Sequence, residues 1–198
     1  MLYSLLELEA NVELVKEYIE GLKKCIAELS IRDIEETASM IFDAFKKGKR
    51  IFVMGNGGSA TTSIHFARDL QIGTAAASKP RLRVTCLADN VASITSLAND
   101  ISYDSIFEEQ LIGQLEEGDV VIGISASGNS PNVLRAIEYA HKNGAVTIGF
   151  IGFGGGKLKK LAHKSIILSS KDYGQVEDIH MVLSHIITYW VKKEINNL

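Results

Sequence analysis

The sequence predicts one α/β domain, with a five-stranded parallel sheet between two layers of helices and a helical extension before it. Five short runs rich in β-branched residues are almost continuously apolar, which is typical of strands buried on both faces. Most of them are separated by segments long enough for a helix, and this alternation favours a parallel sheet. The length of 198 residues, with 46% hydrophobic and 23% charged residues, suits a single domain with a sizeable core.

The helical extension covers residues 1–48, and the α/β core covers residues 49–198. In the helical extension, apolar residues recur at mostly helical spacing: Leu6, Val12, Leu14, Val15, Tyr18, Ile19, Leu22 and Ile26. A break follows at "LSIRDIEE", where either Ser30 or Asp33 could cap a second helix. That helix ends at "KKGKR", since basic residues and a glycine favour a helix C-terminus.

The predicted strands and helices of the core follow in order along the chain. The strands are expected at 50–55, 83–88, 119–125, 145–151 and 165–169. The helices are expected at about 59–72, 90–98, 104–116, 130–143 and 175–195. Ligands of such sheets bind beyond the carboxyl ends of the strands, so the loops at those ends are the candidate functional sites.

Composition and charge exclude several classes of function. The net charge of −3 lacks the basic excess of a nucleic-acid-binding domain. Cys25 and Cys86 lie far apart and form no CxxC pair, which favours a reducing compartment. The N-terminal apolar stretch contains acids, unlike a signal peptide, and no uncharged run approaches the roughly 18 residues of a membrane span. We therefore expect a cytoplasmic protein with no membrane and no nucleic acid as partner.

The first strand ends in the glycine-rich loop "GNGGSATT". Gly55, Gly57 and Gly58 permit positive φ and close backbone approach, and Ser59 or Thr61 could cap the next helix. The loop is neither GxGxxG nor a P-loop, because no GK[ST] follows, so dinucleotides and triphosphates are disfavoured. A tight turn with no ligand remains the alternative.

The third strand ends in a second candidate loop, "SASGNSPN". Ser125, Ser127 and Ser130 place three hydroxyls around Gly128, and Pro131 suits a first helical turn. Hydroxyls combined with helix N–H groups form a phosphate cradle that needs no lysine or arginine. Two such loops in one small domain favour a ligand site over a pair of capped turns.

Together these segments identify a resemblance. The chain resembles the sugar isomerase (SIS) domain family over nearly its whole length. Within that family it resembles the phosphoheptose isomerase group. The motifs that carry the resemblance are "GNGGSA", "HFARDL", "LAND", "GISASGNSPNV" and "VEDIHMVLSH". The resemblance implies a flavodoxin-like three-layer fold and conversion of sedoheptulose 7-phosphate into D-glycero-D-manno-heptose 7-phosphate through an enediol. It also implies a homotetramer with sites between subunits, and a place in lipopolysaccharide or cell-surface heptose synthesis.

The resemblance further implies roles for individual residues. The phosphate is expected on Ser125, Ser127 and Ser130, where the family's usual threonine is replaced by Ala126. Residues expected to bind the rest of the substrate are Asn56, Gly57, Gly58, Ser59, Asn99, Asp100 and Glu177. Further departures from the family, at Gly73 and Gly174, surround the sugar, so a phosphosugar ligand is a firmer expectation than a heptose.

The same resemblance supplies a catalytic pair and a metal set. Asp69, one methylene shorter than the family's glutamate, matches the base, and His185 matches its partner acid. One zinc ion per site is expected on His65, Asp69, Glu177 and His185, with Glu177 replacing a glutamine. The metal and base roles therefore fall partly on the same residues. His180 is nearer to Glu177 in sequence, and it either competes as a ligand or packs in the core.

Two alternatives to an isomerase stay open at this stage. The chain could be a non-catalytic interaction protein, like the family member that binds the bacterial replication initiator, or another phosphosugar-binding SIS protein. Retention of His65, Asp69 and His185 favours an enzyme.

Arg68 and Arg135 are expected to be surface charges and not substrate ligands.

Overall fold

A computed structural model describes residues 5–77 and 79–198, and it describes side chains from residue 12 onward. The part of the predicted extension that falls on residues 1–4, and the side chain of Leu6, lie outside the described residues, as does Ser78.

The described chain alternates helices and strands after two leading helices. The elements are α1 (Leu5–Ala27), α2 (Ile31–Lys46), β1 (Arg50–Gly55), α3 (Gly58–Arg68), β2 (Arg83–Cys86), α4 (Val91–Asp100), α5 (Ile106–Leu111), β3 (Val120–Ser125), α6 (Pro131–Lys142), β4 (Val146–Ile151), α7 (Leu158–Leu161), β5 (Lys164–Ile167) and α8 (Tyr173–Asn196). A π-helical turn, Asp69–Gly73, continues α3, and a 3-10 turn, Tyr103–Ser105, precedes α5.

The five strands form one parallel sheet in the order β2-β1-β3-β4-β5, which confirms the predicted fold class. The order reverses between β1 and β3, whose loops diverge to opposite faces of the sheet. Such a switch point leaves a crevice at the carboxyl ends of the strands. The two loops singled out in the sequence flank this crevice.

Apolar side chains on the two faces of the sheet form two separate core clusters. One cluster joins the sheet to α2, α3 and α8, and includes Phe66 and Phe150. The other joins the opposite face to α5, α6 and α7, and includes Phe52 and Phe107. Both faces are thus covered, which explains why the strands read as continuous apolar runs.

The leading helices pack onto α8. Ser30 caps α2, because its hydroxyl accepts the N–H of Asp33. Helix α2 lies along α8, and α1 reaches the start of α8 through Tyr18, whose hydroxyl donates to Asp178 at 2.7 Å. This bond raises the pKa of Tyr18 to about 12, because ionising the phenol would place it beside a carboxylate.

The elements differ from the sequence expectations in three places. The helix expected at 104–116 is only a 3-10 turn and the six-residue α5, since the backbone leaves helical geometry at Ile112 and is left-handed at Gly113. The helix expected at 59–72 becomes π-helical from Asp69 onward. The short helix α7, between β4 and β5, was not expected. In the described residues, no helix combines the length and apolarity needed to cross a membrane.

Candidate active site

A cavity of ≈ 180 Å³ lies at the switch point, between the ends of β1 and β3. It is lined by Asn56, Ser59, Ile124, Ser125, Ala126, Ser127, Ser130, Tyr173 and Glu177. No lysine or arginine is found among these described lining residues. The cavity therefore offers hydroxyl and backbone groups on the β3 side and one carboxylate on the other.

The serine loop, residues 125–130, is held in a tight turn by its own hydroxyls. Ser125 Oγ accepts the N–H of Gly128 at 3.1 Å and lies 3.1 Å from Ser130 Oγ. Gly128 takes a left-handed φ of +63°. Pro131 starts α6, as expected, so the free N–H groups and positive dipole end of that helix face the same loop. The loop has the chemistry of a neutral anion cradle.

The glycine loop after β1 is built differently from the expectation. Neither Ser59 nor Thr61 caps α3, because the N-cap is Gly57, with a φ of +54° and no side-chain cap. Asn56 instead forms a reciprocal amide pair with Asn132 at 2.8 and 3.0 Å, and its Oδ1 accepts the hydroxyl of Tyr103 at 3.0 Å. This pair ties the first loop to the start of α6.

Glu177 closes the cavity from α8, directly over the start of α3. A Cβ atom added to Gly58 would lie 2.2 Å from Oε2 of Glu177, so the carboxylate occupies the space that only a glycine leaves free. A negative charge is stabilised beside the N-terminus of a helix. Of the three helix N-termini at the cavity, those of α3 and α8 already have a carboxylate, from Glu177 and the N-cap Asp172, whereas the N-cap of α6 is Ser130.

His65, Asp69 and His185 form a second cluster, where α3 and α8 lie side by side. The Nε2 atoms of the two histidines are 2.9 Å apart, and Oδ2 of Asp69 lies 3.0 Å from His65 and 3.7 Å from His185. The other carboxylate oxygen of Asp69 accepts a hydrogen bond from Arg68 at 2.9 Å. The π-helical turn begins at Asp69, and such turns are frequent at functional sites.

This cluster could hold a metal ion. The three ligand atoms lie within 4.8 Å of one another. A tetrahedral zinc ion with bonds of about 2.1 Å places its ligand atoms about 3.4 Å apart, close to the spacings seen here. The nitrogen and oxygen donors are also the kinds that zinc accepts.

Glu177, the fourth expected ligand, is not part of this cluster. It lies eight residues before His185 on α8, an axial rise of about 12 Å, and its carboxylate rests on Gly58. His180 does not join the cluster either, because its ring is fully buried beside Phe150. The structure thus groups three of the four residues that were expected to bind metal.

Asn99 and Asp100 lie apart from the cavity in this chain. Both are exposed in the last turn of α4, where Asn99 donates a hydrogen bond to Asp100 at 2.8 Å. Neither is among the described residues that line the cavity. Arg68 pairs with Asp69, as described above, and Arg135 forms an ion pair with Glu108 at 2.7 Å.

Reasoning from sequence missed one residue that lines the cavity, Tyr173, and one that supports a lining residue, Asn132. Tyr173 lines the cavity as the first residue of α8, two residues before the predicted helix start, and Asn132 holds Asn56. The sequence did contain a signal that α8 starts at Tyr173, because Asp172 is a residue type that is common at helix N-caps. In the structure, the Asp172 carboxylate accepts the N–H of Gln175. The role of Asn132 had no local signal, since its partner is 76 residues away.

A parallel sheet with an uncharged anion cradle at its switch point defines a class of proteins that bind small phosphorylated ligands. Comparison with known proteins gives the particular family. The chain belongs to the SIS domain family, whose sequence model matches residues 16–152.

Curated relatives match over almost the whole chain. The phosphoheptose isomerase of Citrifermentans bemidjiense is 36% identical over 191 residues, which cover 96% of this chain and 97% of the relative. That of Aquifex aeolicus is 36% identical, with 86% of this chain and 89% of the relative covered. A solved phosphoheptose isomerase from Francisella tularensis has the same fold, with a TM-score of 0.84, 23% identity and coverage of 94% and 98%.

Proposed function

We propose that the protein is a phosphoheptose isomerase, which converts sedoheptulose 7-phosphate into D-glycero-D-manno-heptose 7-phosphate. The observation that carries this proposal is the contact of the Asp69 carboxylate with the imidazoles of His65 and His185. These histidines lie on α3 and α8, and both helices also border the cavity beside the serine loop. The names of relatives at 36% identity support the same activity. The non-catalytic alternative has less support, because an interaction protein has little use for this cluster.

The phosphate is expected at the serine loop. Ser125, Ser127 and Ser130 offer hydroxyls there, and the dipole of α6 favours an anion at the same place. The start of α3 is a poor alternative, since Glu177 already supplies a negative charge and would repel a phosphate. The phosphate at one end then directs the rest of the sugar toward Glu177 and the first loop.

The isomerisation moves one proton between adjacent carbons of the sugar. In our mechanism, Asp69 removes the proton from C1 of the ketose while the C2 oxygen gains a proton from His185, which gives the enediol. Return of a proton to C2, with loss of the hydroxyl proton at C1, gives the aldose. Asp69 Oδ2 and His185 Nε2 are 3.7 Å apart, too far for a direct hydrogen bond, so each group exchanges its proton with the sugar and not with the other.

The proposed cofactor is one zinc ion per site, held by His65, Asp69 and His185. When bound, zinc would supply a Lewis acid that polarises the sugar carbonyl. With three protein ligands, one position of a tetrahedral site remains open, as in catalytic zinc sites. Glu177, which lies outside the cluster, remains a proposed ligand for the sugar hydroxyls.

The proposed assembly is a homotetramer in which another subunit covers the cluster. The side chains of His65 and His185 are 44% and 55% exposed in one chain, more than suits a site that must exclude water. Exposed apolar residues lie on the same two helices and on α1, and they suit a contact between subunits: Ile64, Ile186, Tyr189, Leu14, Val15 and Ile19. We expect light scattering to give the mass of four chains, whereas a monomer at micromolar concentration would contradict the shared site.

The proposed location is the cytoplasm, and the two buried, free thiols of Cys25 and Cys86 suit its reducing conditions. The leading helices, through residue 48, are proposed to serve in oligomerisation, and residues 49–198 to form the catalytic core.

The activity is tested with sedoheptulose 7-phosphate, with and without zinc. We expect Asp69→Asn to lose more than about a hundredfold in kcat, the usual scale for a general base, while remaining folded. Asp69→Glu lengthens the acid by one methylene and is expected to keep activity. Asp43→Asn is the matched control, because Asp43 forms only a surface ion pair with Lys46. Complete inactivity of the folded, zinc-loaded protein on several five- to seven-carbon ketose phosphates would refute the proposal.

A further inference from the structure

The loop after β4 has an unusual backbone. Phe153, Gly154, Gly155 and Gly156 have φ angles of +48°, +81°, +117° and +52°, so four successive residues lie in the left-handed region. Glycine adopts this region freely, but a residue with a Cβ atom is disfavoured there. Among the described residues, Phe153 is the only one other than glycine with a positive φ. A phenylalanine at such a position needs a compensating role.

The loop supports the serine loop through backbone contacts. The N–H of Gly152 donates to the carbonyl of Ala126 at 3.0 Å, and the N–H of Leu158 donates to that of Gly128 at 2.9 Å. A Cβ atom on Gly128 would lie 2.4 Å from the carbonyl oxygen of Gly155, so the two loops are in close contact. These contacts involve backbone atoms and do not require a phenylalanine side chain.

The half-buried ring of Phe153 packs against the apolar cluster that joins the sheet to α8, and it also contacts Tyr173. The two rings meet edge to face, with centroids 4.7 Å apart and planes at 78°. This is a favourable aromatic geometry. Tyr173 lines the cavity next to Glu177 but is 62% exposed, so it has few other contacts that would fix its ring.

We propose that Phe153 is a positioning residue that acts through Tyr173. Its left-handed backbone turns the ring toward the start of α8, where it holds Tyr173 as an apolar wall of the cavity beside the sugar. The inference rests on the proposed function in one respect, namely that the ligand is a sugar phosphate. Since the phosphate is proposed to bind the serine loop and the carbon chain to lie beside Tyr173, the two parts of the ligand can be tested separately.

The test compares Phe153→Gly with the wild type. Glycine relieves the backbone at φ +48° and leaves the backbone contacts of the loop intact, but it removes the packing of the ring on the core, so the variant is expected to stay folded with a melting temperature at or below that of the wild type. Loss of the aromatic contact is expected to weaken binding of sedoheptulose 7-phosphate, and to raise KM, by about three- to tenfold. Neither kcat nor the affinity for inorganic phosphate should change by more than about twofold.

Two further variants separate positioning from a general structural role. Phe153→Tyr keeps an aromatic ring and should restore wild-type binding. Tyr173→Ala should weaken sugar phosphate binding as much as Phe153→Gly, and the double variant should be no weaker than either one. Unchanged sugar phosphate affinity in Phe153→Gly would overturn the proposal, as would an equal loss of inorganic phosphate binding. Calorimetry with each variant in the Asp69→Asn background measures both ligands without turnover, so the result stands even if the protein is not an isomerase.

Discussion

Replacing the buried histidine of α8 with leucine should remove much of the acid sensitivity of the fold. The ring of His180 is fully buried, and neither of its nitrogens has a well-formed hydrogen bond to a described residue. Burial lowers its pKa from 6.5 to about 4, and the nearby carbonyl of Ile151 offsets only part of this effect. The folded protein therefore keeps the ring neutral at pH values where the unfolded chain protonates it.

The size and sign of the effect follow from these two values. Between pH 6.5 and about 4 the unfolded chain binds a proton that the folded chain excludes, so stability falls as the pH falls through this window. When the pH is lowered from about 8 to about 5, the free energy of unfolding should fall by about 2 kcal/mol because of His180. Below both pKa values the cost reaches about 3 kcal/mol.

Urea unfolding of the wild type and His180→Leu, at one protein concentration and at both pH values, measures this cost. The stability advantage of the variant should be about 2 kcal/mol larger at the lower pH, since other groups contribute equally to both proteins. Ile187→Leu, at another buried position of α8, changes packing but no titrating group, so its difference from the wild type should not depend on pH. An equal difference at both pH values for His180→Leu would refute the reasoning.

Three other substitutions test the loops and the packing of the helices. Gly58→Ala would place a methyl group 2.2 Å from the Glu177 carboxylate, which must move, so KM should change while the melting temperature holds or rises. Gly128→Ala forces a Cβ onto a φ of +63° and against the Gly155 carbonyl, and urea unfolding and calorimetry should show a loss of about 1–3 kcal/mol and of phosphate binding. Lys164→Met removes the cation that lowers the pKa of two carboxyl groups of α2. Urea unfolding should show a lower free energy of unfolding than that of the wild type at neutral pH, and a smaller difference as the pH falls and those groups protonate.

The sheet and its loops were predictable because their signals are local. A strand buried on both faces must be apolar at nearly every position, and the runs at 50–55 and 119–125 agree with β1 and β3 to within a residue. The parallel arrangement then brings the glycine and serine loops to one crevice. Pro131 and Ser30 marked helix starts through the local chemistry of caps.

The details of the site were less predictable because they depend on distant contacts. The position of Glu177 over Gly58 is set by how α8 packs on α3, and helical spacing alone leaves this open. The same packing brings His65 to His185 across 120 residues. The π-helical turn at Asp69 had no signal in its composition, and Tyr173 was missed because the helix was started too late.

The central claim is that the His65, Asp69 and His185 cluster moves a proton between two carbons of a ketose phosphate. The most direct measurement is to incubate the zinc-loaded protein with sedoheptulose 7-phosphate in deuterium oxide and to follow the sugar by NMR. We predict that the heptose 7-phosphate forms with solvent deuterium at C2, and that Asp69→Asn gives neither product nor label. A folded, zinc-loaded wild type that gives no product and exchanges no carbon-bound proton would contradict the account.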